Sequence, residues 1–289
     1  MKKWNLIIDV AKCSNCNNCT MAMKDEYVGN DFPGYSAPQP QHGHEWLVID
    51  RHVRGNGSMV DVTYVPRTCN HCDDAPCVKA GQGAVTKRPD GIVVIDPVKA
   101  RGRRDLVQAC PYGAVVWNEE LELPQHWTFD AHLIDAGWTQ PRCAQACASG
   151  AMSVAHVSDD EMRALAAQQN LTVAKPELGT SPRVYYRNMS LVTSEFVGGN
   201  VFARSPDGQA DNVSNALVEL TVEGDPQPRR APTDAFGDFK FDGLDDRGAR
   251  YTLRIEKPGA GTAQAAGTLD GSTYLGAIEL QPFTRLSRI

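Results

Sequence analysis

Short apolar runs separated by turn-forming residues characterise the first part of the chain. The run over residues 5–10 predicts a strand that leads into a polar loop. Residues 45–53 and 60–65 predict the two strands of a hairpin, because Gly55-Asn56-Gly57 between them is a strong turn signal. The polar and irregular stretch over residues 24–44 predicts a surface loop.

A weak internal repeat marks three further strands. Each copy is a Gly-Ala step into a strand-like run, over residues 84–87, 114–118 and 151–157. The second copy begins with Cys110 and the third with Cys147, whereas the first begins with Gly81. The repeat therefore indicates that Gly81 occupies a cysteine position that was emptied without loss of the turn.

Two segments carry helix start signals. Asp96 followed by Pro97 is an acidic N-cap with proline at the first helical position, and it predicts a helix that continues to Ala109. Ser158 with Glu161 three residues later is a capping box, which predicts an amphipathic helix that ends near residue 170. Together with the strands, these helices predict an α+β fold for the N-terminal part of the chain.

The composition changes near residue 197. Beyond it there is no cysteine, and short alternating runs are separated by Gly and Asp. The clearest predicted strands cover residues 216–222, 237–241, 251–255 and 271–280. We therefore predict an antiparallel β-sandwich over residues 197–289, a cysteine-containing domain over residues 1–174 and an extended linker over residues 175–196.

Charge and hydropathy exclude several classes of function. The net charge of the 289-residue chain is −6, which gives no electrostatic basis for binding nucleic acid or an anionic membrane. No apolar run approaches the roughly 18 residues of a spanning helix, and the N-terminal run is too short for a signal peptide. Nine cysteines in close-spaced groups indicate metal ligation rather than a disulfide framework. We expect a cytoplasmic protein, or one exported already folded with a partner.

The first cysteine group has the spacing of an iron–sulfur motif. Cys13, Cys16 and Cys19 form C-x2-C-x2-C, the start of the bacterial ferredoxin signature C-x2-C-x2-C-x3-C-P. Thiolates are soft ligands that select zinc, Cu(I) or iron–sulfur clusters. The fourth position of the signature is occupied by Met23, so the group needs its last thiol from elsewhere in the chain.

A second group, Cys69, Cys72 and Cys77, has the spacing C-x2-C-x4-C, and Gly81 stands where a fourth cysteine would follow. His71 lies between two of these thiols, and we interpret it as a solvated loop histidine rather than a ligand. In two-cluster ferredoxins, ligands cross between distant motifs.

Nested pairing of the motifs sorts eight thiols into two complete sets. The first set is Cys13, Cys16, Cys19 and Cys147, and the second is Cys69, Cys72, Cys77 and Cys110. Cys143 is left over. Two 4Fe–4S clusters are the prediction, because zinc, which also binds four cysteines, is usually held by two C-x2-C pairs rather than by triplets.

From Cys13 to Gly113 these motifs resemble the iron–sulfur subunits of the molybdopterin oxidoreductases. The resemblance is greater still to the small subunits of the pyrogallol–phloroglucinol transhydroxylase and resorcinol hydroxylase group. It then covers nearly the whole chain, through residues 90–97, 117–120, 175–180, 182–186 and 236–242.

The resemblance implies two ferredoxin-like iron–sulfur lobes followed by an all-β sandwich of the prealbumin or carboxypeptidase-regulatory type. It also implies a large partner subunit, in a heterodimer or a higher assembly, that holds molybdenum bis-pterin guanine dinucleotide and the aromatic substrate. The chain would then be the non-catalytic subunit of an enzyme that hydroxylates or transhydroxylates polyhydroxylated aromatics.

The chain also departs from the four-cluster pattern. One missing cluster corresponds to Gly81 and the cysteine-free residues 101–109. Another would need cysteines at Met23 and near Trp127 and Asp130, in addition to Cys143. We therefore expect that cluster to be absent, with Cys143 as its remnant and Trp127 filling the vacated volume.

Two other functions remain open on the sequence alone. The chain could be the electron-transfer subunit of another molybdopterin oxidoreductase that acts on a different substrate. Alternatively, its clusters or zinc ions could stabilise an assembly module, since metal binding contributes folding free energy.

Overall fold

The computed structural model describes residues 1–245 and 248–282, so parts of the predicted sandwich, residues 246–247 and 283–289, lie outside the described residues. The chain divides into two compact units. The first unit contains Met1–Arg51 and Thr63–Met189, and the second contains His52–Val62 and Ser190–Ile289.

The elements up to residue 189 are short and mixed. The strands are β1 Lys3–Asp9, β2 Leu47–Asn56, β3 Met59–Thr68, β4 Val85–Lys87, β5 Val93–Ile95, β6 Val116–Asn118, β7 Leu123–Gln125, β8 Met152–Val157, β9 Thr172–Val173 and β10 Val184–Arg187. The helices are α1 Asn18–Tyr27, α2 Pro76–Gly81, α3 Asp105–Gln108, α4 Ala131–Asp135, α5 Arg142–Gln145 and α6 Asp159–Gln168, with a 3₁₀ turn at Pro176–Leu178. Within the described residues, no helix is both long and apolar enough to cross a bilayer.

One sheet organises the first unit, with the strand order β8-β1-β10-β9. Strand β1 lies in its interior, antiparallel to β8 and parallel to β10. Leu6 and Ile8 of β1 are completely buried, and Ile7 between them is also buried. The continuous apolar run predicted as a strand is therefore explained by burial on both faces.

Strand β10 corrects the predicted linker. The prediction assigns residues 175–196 to an extended connection, but Val184–Arg187 pairs with β1 in register Leu6↔Val184. The apolar pattern of Val184 and Tyr186, both buried, marks an internal strand. The predicted domain boundaries as a whole stay a prediction.

The predicted helix from Asp96 to Ala109 is wrong in length. The Asp96 carboxylate does accept hydrogen bonds from the backbone N–H groups of Val98 (2.9 Å) and Lys99 (3.1 Å), as a cap would. The backbone then turns at Gly102, whose φ of 75° lies in the left-handed region. Only Asp105–Gln108 forms a helix, because a left-handed residue ends the helical hydrogen-bond ladder.

The predicted capping box is confirmed at the start of α6. The Ser158 hydroxyl accepts from the Glu161 N–H (3.3 Å), and the Glu161 carboxylate accepts from the Ser158 N–H (2.8 Å). The three strands of the internal repeat are confirmed as well, as β4, β6 and β8.

We expect Ser158→Ala to lower the free energy of unfolding by about 1 kcal/mol, because the Glu161 N–H at the start of α6 loses its side-chain acceptor. Urea unfolding of the purified protein measures the change. Ser58→Ala, at an exposed turn residue, is the control and should stay within about 0.5 kcal/mol of the parent. Equal stability of the two variants would contradict the prediction.

The second unit is almost entirely β-structure. Its elements are α7 Ser190–Thr193, β11 Glu195–Arg204, β12 Ala210–Asn212, β13 Leu217–Val222, β14 Arg229–Pro232, β15 Asp238–Leu244, β16 Arg250–Lys257, β17 Gly261–Thr268 and β18 Thr273–Glu279. One sheet has the order β12-β11-β15, with β18 on β11, and the other has the order β14-β13-β16-β17. Residues of both sheets, among them Val201, Leu220, Phe239 and Ile255, share one hydrophobic core. The unit is thus a two-sheet β-domain, and its assignment to the prealbumin type stays a prediction.

Candidate metal centres

The first cysteine loop follows β1 and ends in the first turn of α1. Two residues between its cysteines have positive φ, Asn15 at 57° and Asn17 at 60°. Asparagine tolerates this left-handed conformation better than most residues, and the Asn17 side chain also donates to the Asn15 carbonyl (3.0 Å). The asparagines of the motif thus shape a tight loop that turns Cys13, Cys16 and Cys19 towards one another.

Sheet pairing brings Cys147 to this loop. Strand β8 starts opposite the end of β1, in register Ile8↔Met152, and the Asp9 N–H donates to the Ala151 carbonyl (2.8 Å). The thiol groups are close enough to interact electrostatically. Burial raises the pKa of Cys13, and the negative charges of the Cys147 and Cys16 thiolates raise it further. Burial likewise raises the pKa of Cys19 to about 11, with smaller contributions from Cys13 and Cys147. The structure therefore gathers the first predicted set of four thiols.

The second predicted set is gathered around the loop between β3 and α2. Burial raises the pKa of Cys69 well above its usual value, and the charges of Cys77, Cys110 and Cys72 raise it further. Burial raises the pKa of Cys77 to about 11, again with contributions from Cys110 and Cys72. Cys110 reaches the group because α3 ends just before it.

These donor sets fit iron–sulfur clusters. A buried thiol with a raised pKa becomes a stable thiolate only with a compensating cation, so metal binding here is coupled to loss of the thiol protons. Backbone donors already face the sulfurs, since the N–H groups of Asn15 and Thr20 favour the thiolates of Cys13 and Cys19. The His71 N–H similarly donates to the Cys69 Sγ (3.5 Å). Among the described residues, no three His, Cys, Asp or Glu side chains are arranged around a single-ion position.

The structure has no space for a cysteine side chain at position 81, where the repeat indicates that a cysteine has been replaced by Gly81. It is buried at the end of α2, and a Cβ atom at this position would lie 2.7 Å from both Cβ and Cγ2 of Val85. The Val85 side chain therefore occupies the space that a ligand at position 81 would need. The outcome agrees with an emptied ligand position.

The region where the four-cluster pattern would place a further cluster is filled by packed side chains. Met23, Trp127, Asp130 and Cys143 are all buried, and Trp127 and Cys143 are completely so. The Trp127 ring stacks on Phe129 with centroids 4.9 Å apart. Burial, together with the charges of Asp130 and Cys19, raises the pKa of Cys143 well above its usual value. Cys143 thus lies near the first thiol set without joining it.

The interpretation of His71 as a solvated residue is wrong. The side chain is 2% exposed, and its Nδ1 accepts a hydrogen bond from the Val93 N–H (3.1 Å). Nδ1 therefore carries no proton, and burial keeps the pKa of the imidazole well below its usual value. His71 packs edge-on against Trp127 and Phe129. It is therefore a neutral residue of the protein core and not a solvated loop residue.

Thr180 is a site residue that the sequence pattern did not reveal. Its side chain hydrogen-bonds to the Cys72 sulfur and opposes the rise in the pKa of Cys72 that burial causes. The same hydroxyl contacts the Tyr112 hydroxyl (2.6 Å). No spacing rule links position 180 to position 72, because the contact depends on the return of the chain along β10.

Comparison with known proteins places these thiols in a recognised domain. A family model described as a 4Fe-4S dicluster domain matches residues 60–157, which include the whole second set and Cys147. The pyrogallol hydroxytransferase small subunit of Pelobacter acidigallici is 41% identical over 283 residues, which cover 97% of this chain and 100% of that protein. A tetrathionate reductase subunit of Salmonella typhimurium is 36% identical, and the match covers 64% of this chain and 72% of that protein. The arsenate respiratory reductase iron–sulfur subunit of a Shewanella strain is 27% identical, and the match covers 63% of this chain and 94% of that protein.

Proposed function

The chain belongs to the iron–sulfur subunits of the molybdopterin oxidoreductases, in the group of the pyrogallol–phloroglucinol transhydroxylase small subunits, and we propose that it is the electron-handling subunit of a molybdenum enzyme for polyhydroxylated aromatics. The observation that carries this proposal is the 41% identity over the full length of the pyrogallol hydroxytransferase small subunit. The tetrathionate reductase subunit matches only 64% of the chain, so the likeness that extends through the β-domain favours the aromatic substrate class.

The proposed cofactors of this chain are two 4Fe–4S clusters. Cys13, Cys16, Cys19 and Cys147 would bind the first, and Cys69, Cys72, Cys77 and Cys110 would bind the second. Such clusters transfer single electrons at potentials set by hydrogen bonds to sulfur, net charge and solvent exposure. The chain's own contribution is to bury the thiols, to aim backbone donors at them and to exclude bulk water from Cys69 and Cys19.

The proposed partner is a large catalytic subunit that holds molybdenum bis-pterin guanine dinucleotide. The two chains would form a cytoplasmic heterodimer, which can associate further. Hydroxylation or transhydroxylation takes place in the partner, and this chain stores or transfers electrons. The C-terminal β-domain would then be of the prealbumin or carboxypeptidase-regulatory type, as in the group that the chain belongs to.

Anoxic co-purification with the large subunit tests the proposal. We expect about eight iron atoms per small subunit, molybdenum in the complex, and turnover of pyrogallol, phloroglucinol or resorcinol. Turnover of tetrathionate or another inorganic oxyanion instead would support the alternative, an electron-transfer subunit for a different molybdenum enzyme. Zinc in place of iron would contradict both.

A further inference from the structure

Asp130 is a buried carboxylate near a position where the four-cluster pattern would need a cysteine ligand. It is 1% exposed, and its φ of 51° follows a φ of 59° at Phe129. Its Oδ1 accepts hydrogen bonds from the Tyr27 hydroxyl (2.7 Å) and the Trp127 indole N–H (2.9 Å). Its Oδ2 accepts from the backbone N–H of Arg142 (2.6 Å). Two consecutive residues with left-handed backbone thus hold the carboxylate among three hydrogen-bond donors.

The three hydrogen bonds to Asp130 favour its carboxylate form and oppose the rise in its pKa that burial causes. All three partners donate to it, which a protonated carboxyl would not require. Thr128 continues the chain of donors: its hydroxyl lies 2.8 Å from the Tyr27 hydroxyl and must donate to it, because the Tyr27 proton points to Asp130. These donors are neutral groups, so they offset the charge in part and leave a net anion.

The charge of Asp130 acts on the first thiol set. Asp130 and Cys19 both contribute to the raised pKa of Cys143, so that thiol lies within electrostatic range of each. Helix α1 provides a second measure, since Cys19, Met23 and Tyr27 share its buried face. Two helical turns, about 12 Å, separate Cys19 from the tyrosine that touches Asp130. The path between them is packed protein, where charges are weakly screened.

A purely structural role does not explain this choice of residue. A vacated volume next to Met23 and Trp127 could be filled by an apolar side chain, which avoids the free-energy cost of burying a charge. The fold instead retains a carboxylate and surrounds it with donors, next to the Cys143 thiol that also interacts with Cys19.

We propose that the negative charge of Asp130 lowers the reduction potential of the cluster on Cys13, Cys16, Cys19 and Cys147. The inference rests on the proposed function, because it needs a cluster in that set. Reduction adds an electron to the site, and a fixed negative charge opposes it. For an effective dielectric constant near 20 and a separation equal to the rise of about 12 Å from Cys19 to Tyr27 along α1, a unit charge changes the ratio of reduced to oxidised cluster roughly tenfold.

The test is a redox titration of the anoxic complex, followed by EPR, with Asp130→Asn. At the potential where the parent cluster is half reduced, the variant should have about ten reduced clusters for each oxidised one, a shift of about 59 mV to higher potential. The second cluster should keep its potential, and iron should stay at about eight atoms per chain. An unshifted first cluster in a variant with full iron content would overturn the proposal.

Asp25→Asn is the matched control. Asp25 is on the same helix as Cys19 and carries the same charge, but its side chain is 75% exposed and pairs with the Arg142 guanidinium, so water and that cation screen it. It should leave both potentials unchanged, and a shift equal to that of Asp130→Asn would show that burial and position are irrelevant, contrary to the proposal.

Tyr27→Phe decides the matter if Asp130→Asn loses iron. This variant keeps the carboxylate and removes one donor, so the uncompensated charge grows and the first potential should fall. An unchanged potential would reject the proposal. Failure of the proposed function looks different from either result, since the parent complex would then show no 4Fe–4S signal, or would show its clusters but turn over no polyhydroxylated aromatic.

Discussion

Replacing Cys110 by alanine is expected to lower the iron content from about eight to about four atoms per chain. Cys110 is the only member of the second set outside the loop and helix that follow β3, and its charge raises the pKa values of Cys69 and Cys77. Without it, three thiols remain, and they cannot complete a four-thiolate site. Iron quantitation and EPR of the reduced complex measure the loss.

Cys143→Ala is the matched control for Cys110→Ala. Cys143 is completely buried and lies near Cys19, yet it belongs to neither predicted set. We expect this variant to retain all its iron and to lose only a little stability from the small cavity. Loss of about four irons from Cys143→Ala, or full retention by Cys110→Ala, would contradict the sorting of the ligands.

The approach of the thiols within each motif could be predicted because motif spacing and local turns determine it, whereas the sorting into two ligand sets stays a prediction. Cys13, Cys16 and Cys19 are held by a loop whose asparagines supply left-handed backbone, and this information is local in sequence. The repeat marked Cys110 and Cys147 as donors and nested pairing of the motifs assigned Cys147 to the first set; in the structure the pairing of β1 with β8 places Cys147 at the same end of the sheet as the first cysteine loop.

The long-range polar contacts were not predictable from the sequence. Tyr27 and Asp130 are more than one hundred residues apart, and neither lies in a cysteine motif. The equal spacing of Cys19, Met23 and Tyr27 on α1 was the available signal, since residues four apart share a helix face. It indicates a buried tyrosine but does not identify the partner of its hydroxyl.

Errors in the predicted elements have local physical causes. The helix predicted from Asp96 to Ala109 is interrupted because Gly102 has a left-handed φ. A helix start signal does not show where the helix ends. Val184 and Tyr186 were assigned to a linker because Pro176 and Pro182 precede them, although their alternate burial is that of an internal strand.

Arg183→Met is expected to lower the free energy of unfolding of the cluster-binding unit by about 3 kcal/mol. The guanidinium is 4% exposed and contacts three groups. Its Nε donates to Asp73 (2.7 Å), its Nη1 to the buried Asn5 side chain (3.0 Å) and its Nη2 to Asp159 (2.6 Å). Methionine fills a similar volume but leaves the Asn5 oxygen and part of the Asp73 charge without a partner.

The same change should speed the loss of iron from the second set. Residues 180–183 run alongside the loop that contains Cys69 and Cys72, with hydrogen bonds from the Asp73 N–H to the Ser181 carbonyl (2.9 Å) and from the Arg183 N–H to the Asn70 carbonyl (2.8 Å). The Arg183 guanidinium also binds the carboxylate of Asp73, the residue that follows Cys72. Iron release to a chelator, followed under anoxic conditions, should therefore be faster than in the parent.

Arg163→Met is the control, because Arg163 also pairs with an aspartate, Asp160, but both side chains are mostly exposed. An exposed pair contributes at most about 1 kcal/mol, so unfolding and iron release should stay close to those of the parent. If the two methionine variants were equally stable, the buried network would have no special importance.

The pH dependence gives an independent check on Arg183. Lys3 and Arg183 hold the pKa of Asp159 down to about 2, below the usual aspartate value of about 4. Because the folded-state pKa is the lower one, this ion pair stabilises the fold fully above about pH 4, and the stabilisation is lost as the pH falls towards 2. Arg183→Met removes part of that stabilisation at neutral pH, so less remains to be lost in acid. The stability difference between parent and variant should therefore shrink from pH 5 to pH 3 if the pair acts as the structure indicates, and a difference that stays constant would assign the effect to packing alone.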